Sequence, residues 1–329
     1  MPAEDGFVPT PPAISDEVAL SLLSCIHNND DNETNLLYPG AGRGPLFAAV
    51  KRYCSVRGKP LPDAHLVEAN ENRAGFLDQR FGKSEPHTPS LSDDSRRAHT
   101  PSYPPGATAE KTPVHGDVTI KETNFLTADF DTKFDFAIAN PPYSRYKNID
   151  TGLRDQYREQ YNSTEGSFPL YAPFTEAMIN HLKVGGWMSV ILPEQALLRD
   201  TFAPFRDVLL RENIVQIAAL PRATFPDHSI ETILLTLQKT KSPLYDSHFW
   251  VETLYNYKSK LEELLIRLGV SESEVGDHIN AYNERVDYLK TQLVWNQKND
   301  GKEGGYNSAV VPTDQTESEQ SGLGAWSDD

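Results

Sequence analysis

Short apolar runs alternate with stretches of helical periodicity along the first 240 residues. Asn35–Tyr38, His65–Glu68, Phe134–Ala139, Trp187–Leu192, Ile214–Leu220 and Thr232–Gln238 are four to seven residues long and mostly apolar, as buried strands are. A further strand is expected between Val118 and Leu126. Apolar positions at helical spacing predict helices over Ser15–His27, Pro45–Arg57, Asn72–Phe81, Leu170–Leu182 and Pro204–Arg211. Strand and helix alternate as they do in a mostly parallel, seven-stranded α/β sheet. Between the last two strands there is no predicted helix, so they are expected to form a terminal antiparallel hairpin.

Two regions break the pattern. From Gly82 to Pro113, 15 of 32 residues are Ser, Thr or Pro, and the large apolar side chains are Leu91 and Tyr103. So little apolar surface cannot offset the entropy of ordering the chain, which predicts a disordered insertion. After Lys241, Leu261, Leu264, Leu265 and Leu268 form a helical stripe ending at Gly269, and Ser271 with Glu274 resembles a capping box. Val275, Ile279, Tyr282, Val286, Leu289 and Leu293 then recur at spacings of 4, 3, 4, 3 and 4, a heptad seam. Such a seam suits a helical pair packed on its own domain and a contact with another subunit equally well. The expected organisation is a main domain over 1–241 with its insertion, a helical extension over 242–296 and a disordered acidic tail over 297–329.

Composition narrows the function. The 329 residues carry 31 Lys and Arg against 47 Asp and Glu, a net charge of −16, which argues against a nonspecific polyanion binder. Seven acids against Lys298 and Lys302 lie in the tail. Cys25 and Cys54 form no CxxC pair, and no Cys/His cluster has zinc spacing, so no metal is expected. No apolar stretch approaches the roughly 18 residues of a membrane span, and the start lacks a basic end before an apolar core. The expectation is a soluble cytoplasmic protein.

The strongest local signal is Asn140-Pro141-Pro142-Tyr143, directly after the strand Phe134–Ala139. Two prolines remove two backbone donors and leave carbonyls free to accept. If the Asn140 side-chain oxygen and the Pro141 carbonyl accept both hydrogens of a planar amino group, the nitrogen lone pair is turned toward an electrophile. Tyr143 can then stack on the ring bearing that group. Alone, Asn-Pro-Pro is also a common end to a strand. Three corners accompany it: the turn Tyr38-Pro39-Gly40-Ala41-Gly42-Arg43-Gly44, the acid Glu68 after the second strand, and Ala128-Asp129-Phe130. A glycine turn admits a nucleotide-like ligand to a helix N-terminus, an acid can accept from a ribose diol, and an acidic-aromatic corner can accept from and cover an adenine.

Taken in order, these corners resemble the gamma-class, TaqI-like adenine N6 methyltransferases of DNA over roughly Phe7 to Gln238. The resemblance implies a Rossmann-like fold dependent on S-adenosylmethionine, with Tyr38, Pro39, Gly40, Ala41, Gly42, Glu68, Asp129, Phe130 and Asn140 at the cofactor. Thr10, in Thr10-Pro11-Pro12, is implied to hold the cofactor's carboxylate. Asn140, Pro141, Pro142 and Tyr143 are implied to be catalytic. Phe225, in Thr224-Phe225-Pro226, is implied to pack with Tyr143 on an extruded base. Leu170–Phe174, Leu182–Gly186 and Leu192-Pro193 resemble the segment behind the active site.

The resemblance implies DNA as substrate and a restriction-modification or related defence role. Tyr38 stands where many relatives carry an acid, and the family's large C-terminal recognition domain has no counterpart after Lys241. Site recognition is therefore expected from a specificity subunit or a second copy docked on Val275–Leu293. A protein glutamine N5 methyltransferase is a second class, since those enzymes also use Asn-Pro-Pro-Tyr. A cytosine N4 or RNA adenine target also fits these corners, as does a noncatalytic subunit that binds the cofactor. Basic groups around the presumed cleft (Arg145, Lys147, Arg154, Arg158, Arg199, Arg206, Arg211, Arg222) fit backbone contact or a solvated charged face. His27, His65, His181 and His228 are expected to be structural or solvated.

Overall fold

The structure, a computed structural model, describes residues 8–24, 34–82, 116–226, 230–241, 251–253 and 258–300. The expected insertion falls almost wholly on 83–115 and most of the expected tail on 301–329, outside the described residues, as are His27 and His228. The strands are β1 (Asn35–Pro39), β2 (Asp63–Glu68), β3 (Val118–Glu122), β4 (Phe134–Ala139), β5 (Leu182–Pro193), β6 (Asn213–Ala219), β7 (Thr232–Gln238) and β8 (Val251–Thr253). They form one sheet in the order β3-β2-β1-β4-β5-β7-β6-β8. The seven expected strands are joined by β8, a three-residue edge strand parallel to β6 (Ile217↔Val251). It is too short to carry a periodicity of its own. The helices are α1 (Pro12–Leu23), α2 (Pro45–Arg57), α3 (Glu71–Phe81), α4 (Thr151–Gln160), α5 (Tyr171–His181), α6 (Gln195–Leu198), α7 (Ala203–Leu209), α8 (Lys258–Arg267) and α9 (Val275–Asp300).

Strand order follows from pattern. In β4 five of six residues are buried, as a central parallel strand between two helical layers requires. β4 pairs with β1 on one side (Leu36↔Phe136) and β5 on the other (Phe136↔Trp187). Winding runs outward from β1 to β2 and β3, and outward from β4 to β5. β1 and β4 therefore flank the point where the order reverses, and a crevice opens beyond their carboxyl ends. β7 is antiparallel to both neighbours and inserts between β5 and β6 (Val190↔Leu235, Ile217↔Leu235). The expected hairpin is present, with its second strand inside the sheet.

α4 escapes the periodic pattern because Leu153 and Tyr157 are its two large apolar side chains. Asp150 begins it, its carboxylate accepting from the N–H groups of Gly152 (2.8 Å) and Leu153 (3.3 Å).

The heptad seam is not a free docking face. Val275, Tyr282, Val286 and Leu289 are buried within the chain, and Ile279 packs against the same core. The Tyr282 hydroxyl donates to the Ala219 carbonyl at 2.8 Å. A contact with a second subunit through these residues is thereby corrected: β6 and neighbouring helices already cover them. α8 adds ion pairs from Lys260 to Glu17 (2.7 Å) and from Arg267 to Asp16 (2.5 Å) on α1. Ser271 and Glu274 do meet ahead of α9, although as a hydroxyl donating to a carboxylate rather than as a reciprocal capping box. Among the described residues no helix is long and apolar enough to cross a membrane.

Arg285, invisible to a periodicity argument, fixes α9. Its guanidinium is 3% exposed and meets Glu194, 0% exposed, with Nε–Oε2 at 2.8 Å. It also donates to the carbonyls of Leu220 and Thr232, so one side chain joins the ends of β5, β6 and β7. Burial raises the Glu194 pKa, opposed by Arg285. Arg285→Ala should cost about 3–5 kcal/mol in urea unfolding, because a buried carboxylate loses its partner. With its folded pKa raised, Glu194 binds a proton more readily folded than unfolded, so the cost of its charge grows as pH rises and fades below that value. The deficit of the variant should therefore shrink as pH falls toward the ordinary carboxylate range.

Candidate active site at the strand switch point

A pocket of about 470 Å3 lies beyond the carboxyl ends of β1, β2, β3 and β4. Its walls include Val8, Gly40, Val67–Asn70, Arg73, Thr123–Leu126, Asn140–Tyr143, Leu153, Tyr157, Leu170 and Phe174. That volume falls within the range of small-molecule and cofactor sites.

The turn after β1 is braced from β2. Ala41 N–H donates to the Val67 carbonyl (3.0 Å), and Gly42 N–H donates to Glu68 Oε2 (2.8 Å). Glu68, 4% exposed, also accepts through Oε1 from Asn70 N–H (3.0 Å) and Arg73 Nε (3.0 Å). Gly40 takes φ +61°, and a Cβ there would sit 3.3 Å from Phe174 Cζ. At Gly44, with φ +76°, a Cβ would meet the Phe81 ring at 2.3 Å, so glycine is required for α3 to close against the start of α2.

The Asn140 amide is oriented by two bonds. Nδ2 donates to the Val8 carbonyl (3.2 Å) and Thr10 Oγ1 (3.1 Å). A carbonyl only accepts, so nitrogen must face Val8 and oxygen must face away. Asn140 Oδ1 is buried with no hydrogen-bond partner, on a residue that lines the pocket. The Tyr143 hydroxyl donates to the Ile191 carbonyl (3.1 Å), and its ring stands edge-on to Tyr171 at 6.1 Å. Burial first, and the neighbouring Tyr171, hold the Tyr143 pKa well above the phenol range, so it remains neutral.

Of the expected site residues, the structure brings Gly40, Glu68, Asn140, Pro141, Pro142 and Tyr143 to the pocket wall, with Thr10 behind Asn140. Pro39, Ala41 and Gly42 belong to the bracing turn. Tyr38 is buried, which raises its pKa, and it is not part of the wall. Two expectations are corrected. Asp129 is exposed, and its backbone carbonyl accepts from Lys121 Nζ (2.6 Å). Phe130 lies behind the wall, packed edge-on to Phe134 (5.5 Å) and His181 (4.9 Å). Since β3 ends at Glu122, Asp129 and Phe130 already lie on the return toward β4. The polar-aromatic corner at the strand end is Asn124-Phe125, five residues upstream. Asn124 Nδ2 donates to the Tyr157 hydroxyl (2.9 Å), its Oδ1 accepts from Leu126 N–H (3.1 Å), and Phe125 packs on Phe174 at 4.9 Å. Phe225, 5% exposed, does not line this pocket.

Neither His65 nor His181 lines the pocket. Burial lowers the pKa of His65, and burial with Lys133 and Lys239 lowers that of His181 to about 4. Among the described residues no three His, Cys, Asp or Glu side chains are grouped to hold a metal.

The sheet order and the pocket at its switch point are those of the S-adenosylmethionine-dependent methyltransferase fold. A Listeria monocytogenes protein described as a class I methyltransferase of this kind superposes with a TM-score of 0.56 at 14% identity, covering 81% of this chain and 73% of that one. The type I restriction-modification methyltransferase subunit of Streptococcus thermophilus gives 0.54 at 19% identity, covering 86% and 54%. Residues 78–224 match the Eco57I restriction-modification methylase family model. The type II methyltransferases M.XhoI of Xanthomonas vasicola and M.PaeR7I of Pseudomonas aeruginosa are similar to it. M.XhoI is 25% identical over 216 residues, 64% of this chain and 38% of its own length. M.PaeR7I is 28% identical over 104 residues, 32% of this chain and 18% of its own length. The chain thus spans less than two fifths of either relative.

S-adenosylmethionine is the cofactor expected in such a domain, and the donor set fits it: a braced glycine turn, a buried acid, a polar-aromatic corner and an unpartnered buried acceptor. Asn124→Ala should weaken binding of S-adenosylmethionine about tenfold by calorimetry, the scale of one hydrogen bond. Asp129→Ala should leave affinity within about twofold. A larger loss for Asp129→Ala than for Asn124→Ala would reverse the assignment.

Proposed function

We propose that this chain transfers the methyl group of S-adenosylmethionine to the N6 amino group of adenine in DNA, within a restriction-modification or related defence system. One observation carries the reading: the buried, unpartnered Oδ1 of Asn140, held in a single amide orientation beside two prolines that carry no N–H. Bound there, S-adenosylmethionine supplies an electrophilic methyl. Gly40, Glu68, Asn124 and Phe125 hold the nucleoside end, and Thr10 and Asn140 face the amino-acid end.

Asn140 Oδ1 and the Pro141 carbonyl accept the two hydrogens of the target amino group. That removes the lone pair from conjugation with the ring and directs it to the methyl carbon. S-adenosylmethionine held there would supply the methyl group that this nitrogen accepts, and the methylated nitrogen would then release one proton to solvent. The neutral Tyr143 ring supports the base on one face.

Mass spectrometry of DNA from cells expressing the protein should detect N6-methyladenine. Finding N4-methylcytosine, or methylglutamine in protein with no methylated DNA, would replace the adenine assignment. Asn140→Ala should lower turnover by about 10²- to 10³-fold while S-adenosylmethionine affinity stays within about threefold. Full turnover in that variant would overturn the mechanism.

A further inference from the structure

The segment that follows Asn140–Tyr143 has two faces. On one, Leu153 and Tyr157 of α4 line the pocket, and Tyr157 is tied to Asn124. The other gathers cations. The guanidinium carbons of Arg154 and Arg158, one helical turn apart, lie 4.6 Å and 5.1 Å from the centroid of the Tyr146 ring. The Tyr146 hydroxyl accepts from Arg158 (2.5 Å), and Tyr146 stands edge-on to Phe168 at 5.4 Å. Beside it, Arg145 and Lys147 are exposed, with no side-chain partner among the described residues.

By number the acids Asp150, Asp155, Glu159 and Glu165 match the four cations, but none of them pairs with Arg145 or Lys147 among the described residues. Asp150 is turned onto the backbone as the cap of α4, and Asp155 reaches only Arg158, at 3.6 Å. Elsewhere on the chain, Arg52 pairs with Asp16, Lys183 with Asp135 and Arg222 with Glu231. On a protein of net charge −16, these two unpaired cations stand two and four residues after Tyr143, which lines the pocket.

We propose that Arg145 and Lys147, backed by the Tyr146–Arg154–Arg158 stack, form the surface that grips backbone phosphates of the nucleic-acid strand carrying the target base. The inference rests on the proposed function above. The stack fixes the loop's shape, and the two free cations meet phosphate as point charges whose counterions are released on binding. A strand held there runs past Tyr143, so its grip and the placement of the base share one rigid corner.

The test is the double variant R145A/K147A in the full chain, measured on a duplex of about 30 base pairs by fluorescence anisotropy across a salt series. Both residues are exposed, so folding and S-adenosylmethionine affinity by calorimetry should be unchanged. Wild-type binding should weaken steeply with salt. In the variant, the slope of log affinity against log salt should be shallower by nearly 2, and affinity near 0.1 M salt lower by about tenfold or more. Equal slopes and affinities would overturn the surface, as would a wild-type chain that binds no duplex at low salt. Binding is read without turnover, so failure of the adenine assignment shows separately, as absent N6-methyladenine in DNA that the wild-type chain nevertheless binds.

Discussion

A turn built on three left-handed glycines has little to hold its own shape, and in this protein β2 holds it. Glu68 receives the Gly42 N–H with one carboxylate oxygen and Asn70 and Arg73 with the other. The corner after β1 is thereby locked to the corner after β2 and to the start of α3. Because β1 also borders β4, the same brace sets the distance from the glycine turn to Asn140. The acid thus has a structural duty independent of any ligand. Its remaining lone pairs are what a ribose diol can address, so truncating it disturbs both the turn and the site.

The second constraint is that the Asn140 amide is oriented from outside the catalytic corner. Val8 and Thr10 lie about 130 residues upstream, yet their two acceptors fix which way the amide faces. A buried acceptor left without a partner costs stability, on the order of 1–3 kcal/mol. It persists because the amide cannot flip without setting its oxygen against the Val8 carbonyl. Strain-free preorganisation of this kind lets a hydrogen-bond acceptor wait for its donor without reorganising when the donor arrives.

Sequence alone is most informative where period and burial coincide. β4 and β7 begin and end where their apolar runs do, and the corner Asn140–Tyr143 can be assigned because prolines after a buried strand have few other uses. It misleads at Asp129, where an acid next to a phenylalanine outweighs strand length. β3 stops at Glu122, and the side chains that reach the pocket are those in its first turn beyond, Asn124 and Phe125, an amide where an acid is expected. α4 is hidden because a helix that covers a pocket needs only Leu153 and Tyr157 on its inner face.

The extension after Lys241 shows why a heptad pattern does not by itself define an interface. A seam at 3.5-residue spacing states that one helical face is apolar and is silent about what covers it. Here the cover is the end of β6, and the deciding side chain is a charged one. Arg285 carries its guanidinium into the layer between α9 and the sheet, where it joins Glu194, Leu220 and Thr232. A dimer seam would seldom place an arginine there facing its own chain's carbonyls. With that face occupied, nothing can dock on the seam without first breaking a buried ion pair. Near the pocket, surface that is still open is carried by the loop and helix that follow Tyr143.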